Sequence, residues 1–239
     1  MEKIILNIWY SNQIFYRLVS YILFPISLLY ILIFYLFRIF KAELKIGVPI
    51  LCVGNINVGG TGKTSTLLEI IKYFKNKEKN ICVLLKGYGG KKHKFKKVSP
   101  NDSATLVGDE AILFSNHVPT YISTNRMLAV NNILNDISPD FILLDDGFQD
   151  KSLFKDKNIL MVNGARGFGN GLCLPAGPLR ELIRPALKKA QFLIIVGDDK
   201  QLPPSNYFET KQQADDDDEE DSGEDGHNGG SGNNGGNDN

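Results

Sequence analysis

The stretch "CVGNINVGGTGKTS", residues 52–65, contains the residue types that bind phosphate groups. It fits the pattern G-x-x-x-x-G-K-[ST] except that Asn57 stands where the first glycine belongs. In such a loop the backbone N–H groups point at the anion, the lysine reaches the β- and γ-phosphates, and the hydroxyl residue holds Mg²⁺. The sequence therefore predicts a nucleotide site with these candidate residues: Asn57, Val58, Gly59, Gly60, Thr61, Gly62, Lys63 and Thr64.

A phosphoryl-transfer site also needs carboxylates for the metal ion, and the segment "FILLDDGFQ" supplies two of them. Asp145 and Asp146 follow an apolar run, so we expect them at the carboxyl end of a buried strand, where α/β sheets bind ligands. Adjacent strand residues point to opposite faces, so only one of the two can aim at the metal from a regular strand and the other would act through a turn. The predicted Mg²⁺ ligands are Thr64, Asp145 and Asp146.

Three other segments carry polar residues at places where a site would need them. "TLVGDEAILF" puts Asp109 and Glu110 at a predicted helix start, where acidic residues favour the helix dipole with or without a further role. "LLKGYGG" ends a predicted strand, and "GARGFGNGLCLPAGPLRE" is typical of a shaped substrate loop rather than a routine connection. The candidate substrate residues in the two glycine-rich segments are Lys86, Arg166, Asn170 and Arg180, and the two arginines suit an anionic group.

The elements that position these residues are short apolar runs separated by helix-length polar stretches. The runs are apolar on both faces rather than alternating, which is typical of parallel strands covered by helices. This predicts an α/β, P-loop NTPase-like, doubly wound domain with a mainly parallel sheet. Strands are predicted at residues 49–53, 81–85, 141–145, 158–162 and 192–196, and helices at residues 63–76, 109–116, 125–135 and 179–189.

An apolar segment of nineteen residues without a charge, residues 19–37, precedes this domain. Its length is close to the roughly 20 residues that cross a bilayer core. It is too long for the apolar region of a signal peptide, and no small-x-small cleavage pattern follows. A buried core helix is the alternative to membrane attachment, which would be either one span or a helix in the interface. Lys41 and Lys45 follow the segment, so we expect the domain on the cytoplasmic side.

The charge of the chain is divided unevenly between its body and its end. The 27 basic and 27 acidic residues balance overall, but residues 214–239 hold ten of the acidic ones, which leaves residues 1–213 at +10. A basic body suits an anionic partner such as a nucleotide or a phospholipid headgroup, although a solvated surface has the same composition. We predict a membrane-associated segment at residues 1–46, a kinase core at 47–200 and a disordered, acidic, Gly/Asn-rich tail at 201–239.

Taken together, the motifs resemble those of the tetraacyldisaccharide 4′-kinase family, the lipid A 4′-kinases of Gram-negative bacteria. The resemblance covers residues 22–196 and rests on "VGNINVGGTGKT", "KGYGG", "VGDE", "LDDGFQ" and "GNGLCLPAGPLRE", in the family's order. It implies a kinase at the cytoplasmic face of the inner membrane that uses ATP and Mg²⁺. The implied acceptor is an anionic glycolipid, tetraacyldisaccharide 1-phosphate, phosphorylated at its 4′-hydroxyl in lipid A biosynthesis.

The resemblance also implies roles for particular residues. Asp109 falls on the aspartate that helps to activate the attacking hydroxyl, Lys63 and Asp146 complete the catalytic set, and the Asp145–Asp146 pair is Walker B-like. Asn57 is no departure, because these kinases commonly carry a residue other than glycine there. Asp150 and Leu182 do depart from the family's usual histidine and proline. The chain is also expected to lack the family's C-terminal part, including a catalytic histidine.

Three other functions remain open on the sequence. A different P-loop ATPase or GTPase would share the phosphate loop, although "FLIIVGDDKQ" does not supply the [NT]-K-x-D guanine motif. A membrane-anchored, catalytically impaired relic of the kinase would retain nucleotide binding without turnover. A nucleic-acid binder is disfavoured, because the basic cluster "KKHKFKK" lacks interleaved stacking aromatics.

Overall fold

The computed structural model describes residues 2–40, 42–87 and 90–197 of the 239-residue chain. The predicted acidic tail at 201–239 lies outside the described residues, as do Tyr88 and Gly89 of the "KGYGG" segment. The domain boundaries drawn from the sequence therefore stay predictions.

A seven-stranded sheet forms the centre of the described structure, in the order β3-β4-β2-β5-β1-β6-β7. Every neighbouring pair is parallel except β3 and β4, which run antiparallel. The five predicted strands are confirmed, and two short ones at the edge were missed. The strands are β1 (Ile50–Gly54), β2 (Ile81–Leu85), β3 (Lys96–Lys97), β4 (Thr120–Ile122), β5 (Phe141–Asp145), β6 (Lys157–Asn163) and β7 (Phe192–Val196).

The helices cover the sheet and precede it in the chain. They are α1 (Glu2–Tyr10), α2 (Ile14–Ile39), α3 (Lys63–Lys75), α4 (Ala104–Val107), α5 (Asp109–Ser115), α6 (Arg126–Asp136) and α7 (Ile183–Lys189). The prediction of one helix over 179–189 was wrong in its first turn, since α7 begins at Ile183. Leu179 and Arg180 are instead extended against the loop after β1, where the Arg180 N–H donates to the Ile56 carbonyl at 2.7 Å.

Both faces of the sheet are packed, which accounts for the uninterrupted apolar strand sequences. On one face Val83 and Leu143 pack with Leu67 of α3 and Phe114 of α5, all of them buried. On the other face Cys52, Leu84 and Leu144 pack with Ile133 of α6. The carboxyl ends of β1, β2 and β5 therefore lie side by side in a rigid frame, and the chemistry-bearing residues follow these strands.

Helix α2 packs on this domain along one side only. The buried Ser27 hydroxyl donates to the Cys173 carbonyl at 2.9 Å and accepts from the Ala176 N–H at 3.0 Å. The opposite side exposes large apolar residues, including Ile22 and Leu29. Of its most apolar 18-residue window only 6% is buried, so α2 is not a core helix, and in the described chain it alone is long and apolar enough to cross a membrane.

The buried guanidinium of Arg126, at the start of α6, is hydrogen-bonded to the backbone at the end of β5. Its Nη2 donates to the carbonyls of Asp145 and Asp146 at 3.1 and 3.3 Å, and its Nε lies 3.3 Å from Asp150 Oδ2. A Cβ on Gly147 would lie 2.7 Å from Arg126 Nη1 and would also collide with Leu144. Both neighbours are buried and cannot move aside, so only glycine fits at this position.

We expect Gly147→Ala to lower the free energy of unfolding by about 2 kcal/mol, the usual cost of overpacking a filled core. Thermal or urea unfolding in detergent measures this change. Gly47→Ala is the matched control, because a Cβ there meets nothing within 4 Å, and it should change stability by less than about 0.5 kcal/mol. Equal stability of the two variants would show that the Asp145–Asp146 turn is not held as described.

Candidate functional site

The glycine-rich loop joins β1 to α3 with its backbone folded around an open centre. Gly59 and Gly62 have φ values of 110° and 75°, which side-chain-bearing residues rarely adopt. Gly62 is the N-cap residue of α3, so the first N–H groups of that helix face the loop. A Cβ on Gly60 would meet no atom within 4 Å, so there is room for an anion against the backbone. This geometry is that of a helix N-terminal phosphate site.

Asn55, the first residue after β1, organises the loop from inside, although the sequence prediction did not include it. It is fully buried, and its Nδ2 donates to the Gly59 carbonyl at 3.2 Å and to Thr61 Oγ1 at 3.0 Å. Its Oδ1 accepts a hydrogen bond of 3.4 Å from Lys63 Nζ. One amide thus fixes both limbs of the loop and the lysine. The available signal was a polar residue placed directly after a buried strand.

Asn57, at the position of the missing glycine, is also used by the fold. The residue is buried, and its Nδ2 donates to the Gly167 carbonyl at 3.0 Å. Its backbone forms a bridge with Leu179, and the Val58 N–H donates to the Pro178 carbonyl at 2.9 Å. The asparagine therefore ties the phosphate loop to the segment that follows β6, a contact that glycine would not make.

Asp146 carries the charge contacts of the site. It has a φ of 48°, so the chain turns sharply after β5, and its carboxylate lies 3.3 Å from Lys63 Nζ and 3.2 Å from Arg180 Nη1. Burial by itself raises the pKa of Asp146, but the two cations outweigh burial and hold the pKa below its usual value. Asp146 is thus ionised and holds Lys63 and Arg180 on the same side of the loop.

Asp145, the last residue of β5, has the opposite environment. Its Oδ1 is buried with no hydrogen-bond partner among the described residues. Burial, reinforced by the negative charge of Glu110, raises the pKa of Asp145 to about 7, and Lys63 only partly offsets this. Both aspartates line one small cavity with Glu110 and Lys86, so the turn brings together two carboxylates that a regular strand would separate.

The residues present fit a divalent cation next to the loop. The carboxylate oxygen of Asp145 without a partner is the kind of hard ligand that Mg²⁺ prefers, and burial makes a positive partner favourable there. Thr64, the second residue of α3, donates from its hydroxyl to Glu110 Oε1 at 2.7 Å, and Glu110 lines the same cavity as Asp145. Of the three predicted ligands, Asp145 and Asp146 line this cavity and Thr64 contacts it through Glu110, and their role as Mg²⁺ ligands stays a prediction.

The structure distinguishes the two acidic residues at the start of α5. Asp109 is exposed, and within the described part of the chain it forms no hydrogen bond or ion pair. Glu110 is the residue that contacts the site, through Thr64. The sequence prediction singled out Asp109 because the family resemblance placed it on the VGDE aspartate, and it passed over Glu110, which by itself is an ordinary acidic residue of a first helical turn. The role of Asp109 as a base stays a prediction.

A cleft of about 420 Å³ opens beside Asp146 toward α2. It is lined by the predicted substrate residues Lys86 and Arg180, by Asp146 and by the rings of Tyr30 and Phe34. Gln149 borders it and donates to the Asn55 carbonyl at 2.7 Å. The cleft therefore lies between Asp146, which pairs with Lys63 of the phosphate loop, and the side of the domain that α2 covers.

The other two candidate substrate residues lie away from this cleft. Asn170 donates from Nδ2 to the Ala176 carbonyl at 2.8 Å and to Ser20 Oγ of α2 at 3.2 Å. Arg166 lies against Gly59 on the opposite limb of the loop, with its guanidinium over the ring of Tyr10. Their contacts do not bring them together with Lys86 and Arg180, and their roles toward a substrate stay predictions.

The geometry agrees with comparisons to known proteins. Residues 19–223 match the family model LpxK, Tetraacyldisaccharide-1-P 4'-kinase. Tetraacyldisaccharide 4'-kinase of Gluconobacter oxydans is 38% identical over 164 residues, which make up 68% of this chain and 50% of that protein. The enzyme of the same name from Actinobacillus pleuropneumoniae is 39% identical over 205 residues, 82% of this chain and 61% of that protein.

A solved structure gives the same result for the fold. LpxK from Aquifex aeolicus, described as an "apo" form in complex with ATP, superposes with a TM-score of 0.66 and 32% sequence identity. The match covers 74% of this chain and 59% of that one. The chain spans about half the length of the curated relatives first compared. The family match over residues 19–223 nevertheless covers most of the sequence, and the chain belongs to the tetraacyldisaccharide-1-phosphate 4'-kinase family.

Proposed function

We propose that this protein is an ATP-dependent kinase that phosphorylates the 4′-hydroxyl of tetraacyldisaccharide 1-phosphate in lipid A biosynthesis. The observation that carries the proposal is the position of Asp146, which joins Lys63 of the phosphate loop to Arg180 of the cleft. A nucleotide-binding module alone does not require a cationic cleft beyond its loop. The names of the relatives support the reaction, and the cleft supports an anionic acceptor.

In this proposal residues 57–64 hold the nucleotide phosphates, and Thr64, Asp145 and Asp146 hold Mg²⁺. Bound ATP would supply the phosphoryl group, and Mg²⁺ would neutralise part of the negative charge of its phosphates. Lys63 adds positive charge at the loop, and Asn55 keeps its ammonium group in place. Asp146 holds Lys63 and Arg180 at fixed positions before either ligand arrives, so little reorganisation is needed.

The acceptor is proposed to enter the cleft lined by Lys86 and Arg180, with its sugar rings against Tyr30 and Phe34. Arg180 and Lys86 suit an anionic glycolipid. Asp109 remains the proposed general base; its carboxylate is exposed at the start of α5, next to the residue that contacts Thr64. An exposed carboxylate is free to accept the proton of an acceptor hydroxyl.

We place the protein at the cytoplasmic face of the inner membrane, with α2 in the interface rather than across the bilayer. Contacts with the domain run from Ser20 to Arg38, whose Nη1 lies 3.5 Å from Glu181 Oε2. At 1.5 Å per residue these contacts cover roughly 27 Å, nearly the thickness of the hydrocarbon core. A spanning helix would carry the polar domain into lipid, whereas an in-plane helix exposes only its apolar side.

Transfer of radiolabel from Mg²⁺-[γ-³²P]ATP to the disaccharide 1-phosphate acceptor in detergent tests the proposed reaction. Lys63→Ala should reduce the rate by about a hundredfold or more, because it removes charge stabilisation at the loop. Lys72→Ala, an exposed lysine of the same helix, is the matched control and should be unaffected. A wild-type rate no higher than that of Lys63→Ala, with nucleotide still bound, would contradict the kinase proposal and support a nucleotide-binding relic.

Asp145→Asn tests the proposed metal ligand through stability as well as binding. The carboxyl's pKa rises from 3.8 to about 7 on folding, so its ionised form is disfavoured in the native state at high pH. Above pH 7 the variant should therefore be more stable than wild type, by an amount on the order of 2 kcal/mol. The difference should shrink as the pH falls from 7 toward 4 and should vanish below about pH 3, where the wild-type carboxyl is neutral in both states.

The same variant should lose the Mg²⁺-dependent part of nucleotide affinity, measured by titration with and without EDTA. Asp146, the ionised partner of Lys63 and Arg180, remains in place in this variant, so metal-free binding should persist. An Asp145→Asn protein with unchanged stability at pH 8 and unchanged Mg²⁺ dependence would rule out Asp145 as a ligand.

Membrane attachment through the outer side of α2 predicts a clear loss on substitution. Wild-type protein should sediment with vesicles of phosphatidylethanolamine and phosphatidylglycerol, and Ile22→Glu/Leu29→Glu should remain in the supernatant, because burying these carboxylates in lipid is costly. Met127→Glu replaces an exposed apolar residue of α6 and should sediment like wild type. Sedimentation of the double variant at the wild-type level would contradict the in-plane arrangement.

A further inference from the structure

The segment 164–178 lies between the first helix and the phosphate loop and is hydrogen-bonded to both. On the loop side, Asn57 Nδ2 donates to the Gly167 carbonyl at 3.0 Å, and the Val58 N–H donates to the Pro178 carbonyl at 2.9 Å. Two successive residues of the loop are therefore attached to the two ends of this segment. We call residues 164–178 the bridging segment.

On its other side the bridging segment is attached to the end of α1. The Asn170 N–H donates to the Trp9 carbonyl at 2.9 Å, and Trp9 Nε1 donates to the Pro175 carbonyl at 3.1 Å. A Cβ on Gly169 would lie 2.9 Å from the Trp9 carbonyl oxygen, so the two backbones are in close contact. The position of α1 thus determines the position of the bridging segment.

Arg166 is the charged residue of the bridging segment that faces the phosphate loop. Its Nη1 lies 3.9 Å from the point that a Cβ on Gly59 would occupy. Its Cζ lies 5.7 Å from the centroid of the Tyr10 ring, at the end of α1, a distance that permits a cation–π contact. The backbone is fixed as well, because the Arg166 N–H donates to Asn163 Oδ1 at 3.0 Å. The guanidinium is therefore held between an aromatic ring and the backbone of the loop.

The cations around the phosphate loop differ in whether a carboxylate already pairs with them. Among the described residues, Lys63 and Arg180 both pair with Asp146, whereas Arg166 forms no ion pair. Arginine's planar fork matches phosphate oxygens, and Gly59 has no side chain to separate the guanidinium from an anion in the loop. The contacts of Arg166 thus point to the nucleotide rather than to the acceptor cleft beside Asp146.

We propose that Arg166 is a ligand for the phosphate groups of a nucleoside triphosphate in the loop, and that Tyr10 is the residue that positions it. This inference rests on the proposed nucleotide site and assigns that site a cation from outside the phosphate-loop motif. Since α1 packs against α2, the nucleotide site would be completed by residues next to the helix proposed to contact the membrane.

Titration of the full-length protein in detergent with the fluorescent analogue mant-ATP, in EDTA, tests the role of Arg166 without turnover. Arg166→Ala should raise Kd about tenfold, the effect of losing one charge-assisted contact, and Arg166→Lys should recover part of the loss. The penalty should be smaller for mant-AMP, which has one phosphate group. Arg184→Ala, an exposed arginine of α7, is the charge-matched control and should leave Kd unchanged.

Tyr10 is tested by a pair of substitutions that separate its ring from its hydroxyl. Tyr10→Phe keeps the aromatic face and should bind mant-ATP as wild type does. Tyr10→Leu should raise Kd about threefold in the wild-type background and have no further effect on Arg166→Ala, because the ring acts only through the guanidinium. Equal effects of Tyr10→Leu in both backgrounds would overturn the positioning role.

Failure of this inference is distinguishable from failure of the proposed function. A large loss of affinity in Lys63→Ala with none in Arg166→Ala would leave the nucleotide site intact and refute the role of Arg166. No loss in either variant would refute both. A fall in the thermal unfolding temperature of Arg166→Ala with unchanged Kd for mant-ATP would show that the guanidinium only packs against Tyr10, and would also overturn the proposal.

Discussion

The contact on which the site depends most is the one between the buried guanidinium of Arg126 and the end of β5. Two carbonyls in succession, those of Asp145 and Asp146, accept from the same Nη2, which fixes the point where the strand stops and the turn begins. A buried cation is costly unless it is paired, and Asp150 provides the counter-charge. Asp150 thus compensates the charge of the guanidinium that holds the two aspartates.

The parts of the fold and the site that the sequence could predict are those determined by contacts between residues close together in the chain. The apolar strands, the glycine loop and the Asp145–Asp146 pair follow from sequence patterns, because burial on both faces and backbone freedom are properties of short segments. Strands β3 and β4, two and three residues long, are too short to have a period. Glu110 and Arg126 act through partners 46 and 19 positions away, which no local pattern identifies, whereas the only local signal for Asn55 was its place directly after a buried strand. The early start predicted for α7 failed for the same reason, since Arg180 is held by Ile56.

Helix α2 shows how the same sequence can support several interpretations. Composition alone allowed a span, an interfacial helix or a core helix, because serine and tyrosine are tolerated in all three settings. The structure gives these residues one role, since Ser27 bonds to the Cys173 and Ala176 backbone, and the Tyr30 hydroxyl donates to the Arg180 carbonyl at 2.8 Å. The side of α2 that faces the domain therefore holds the backbone of the residue that pairs with Asp146. The opposite side of the same helix, which exposes Ile22 and Leu29, is the one proposed to contact the membrane.

The two adjacent aspartates illustrate how environment gives identical side chains different tasks. Asp146 is surrounded by Lys63 and Arg180, and its pKa is lowered, so its charge is already compensated in the protein alone. Asp145 is buried beside Glu110, and its pKa is raised to about 7, so its ionised form lacks compensation. A cation in the cavity would be stabilised more by Asp145 than by Asp146, because Lys63 and Arg180 already compensate the charge of Asp146. The difference follows from a single turn: by leaving the strand at φ 48°, Asp146 reaches the two cations, whereas Asp145 keeps a buried oxygen without a hydrogen-bond partner among the described residues.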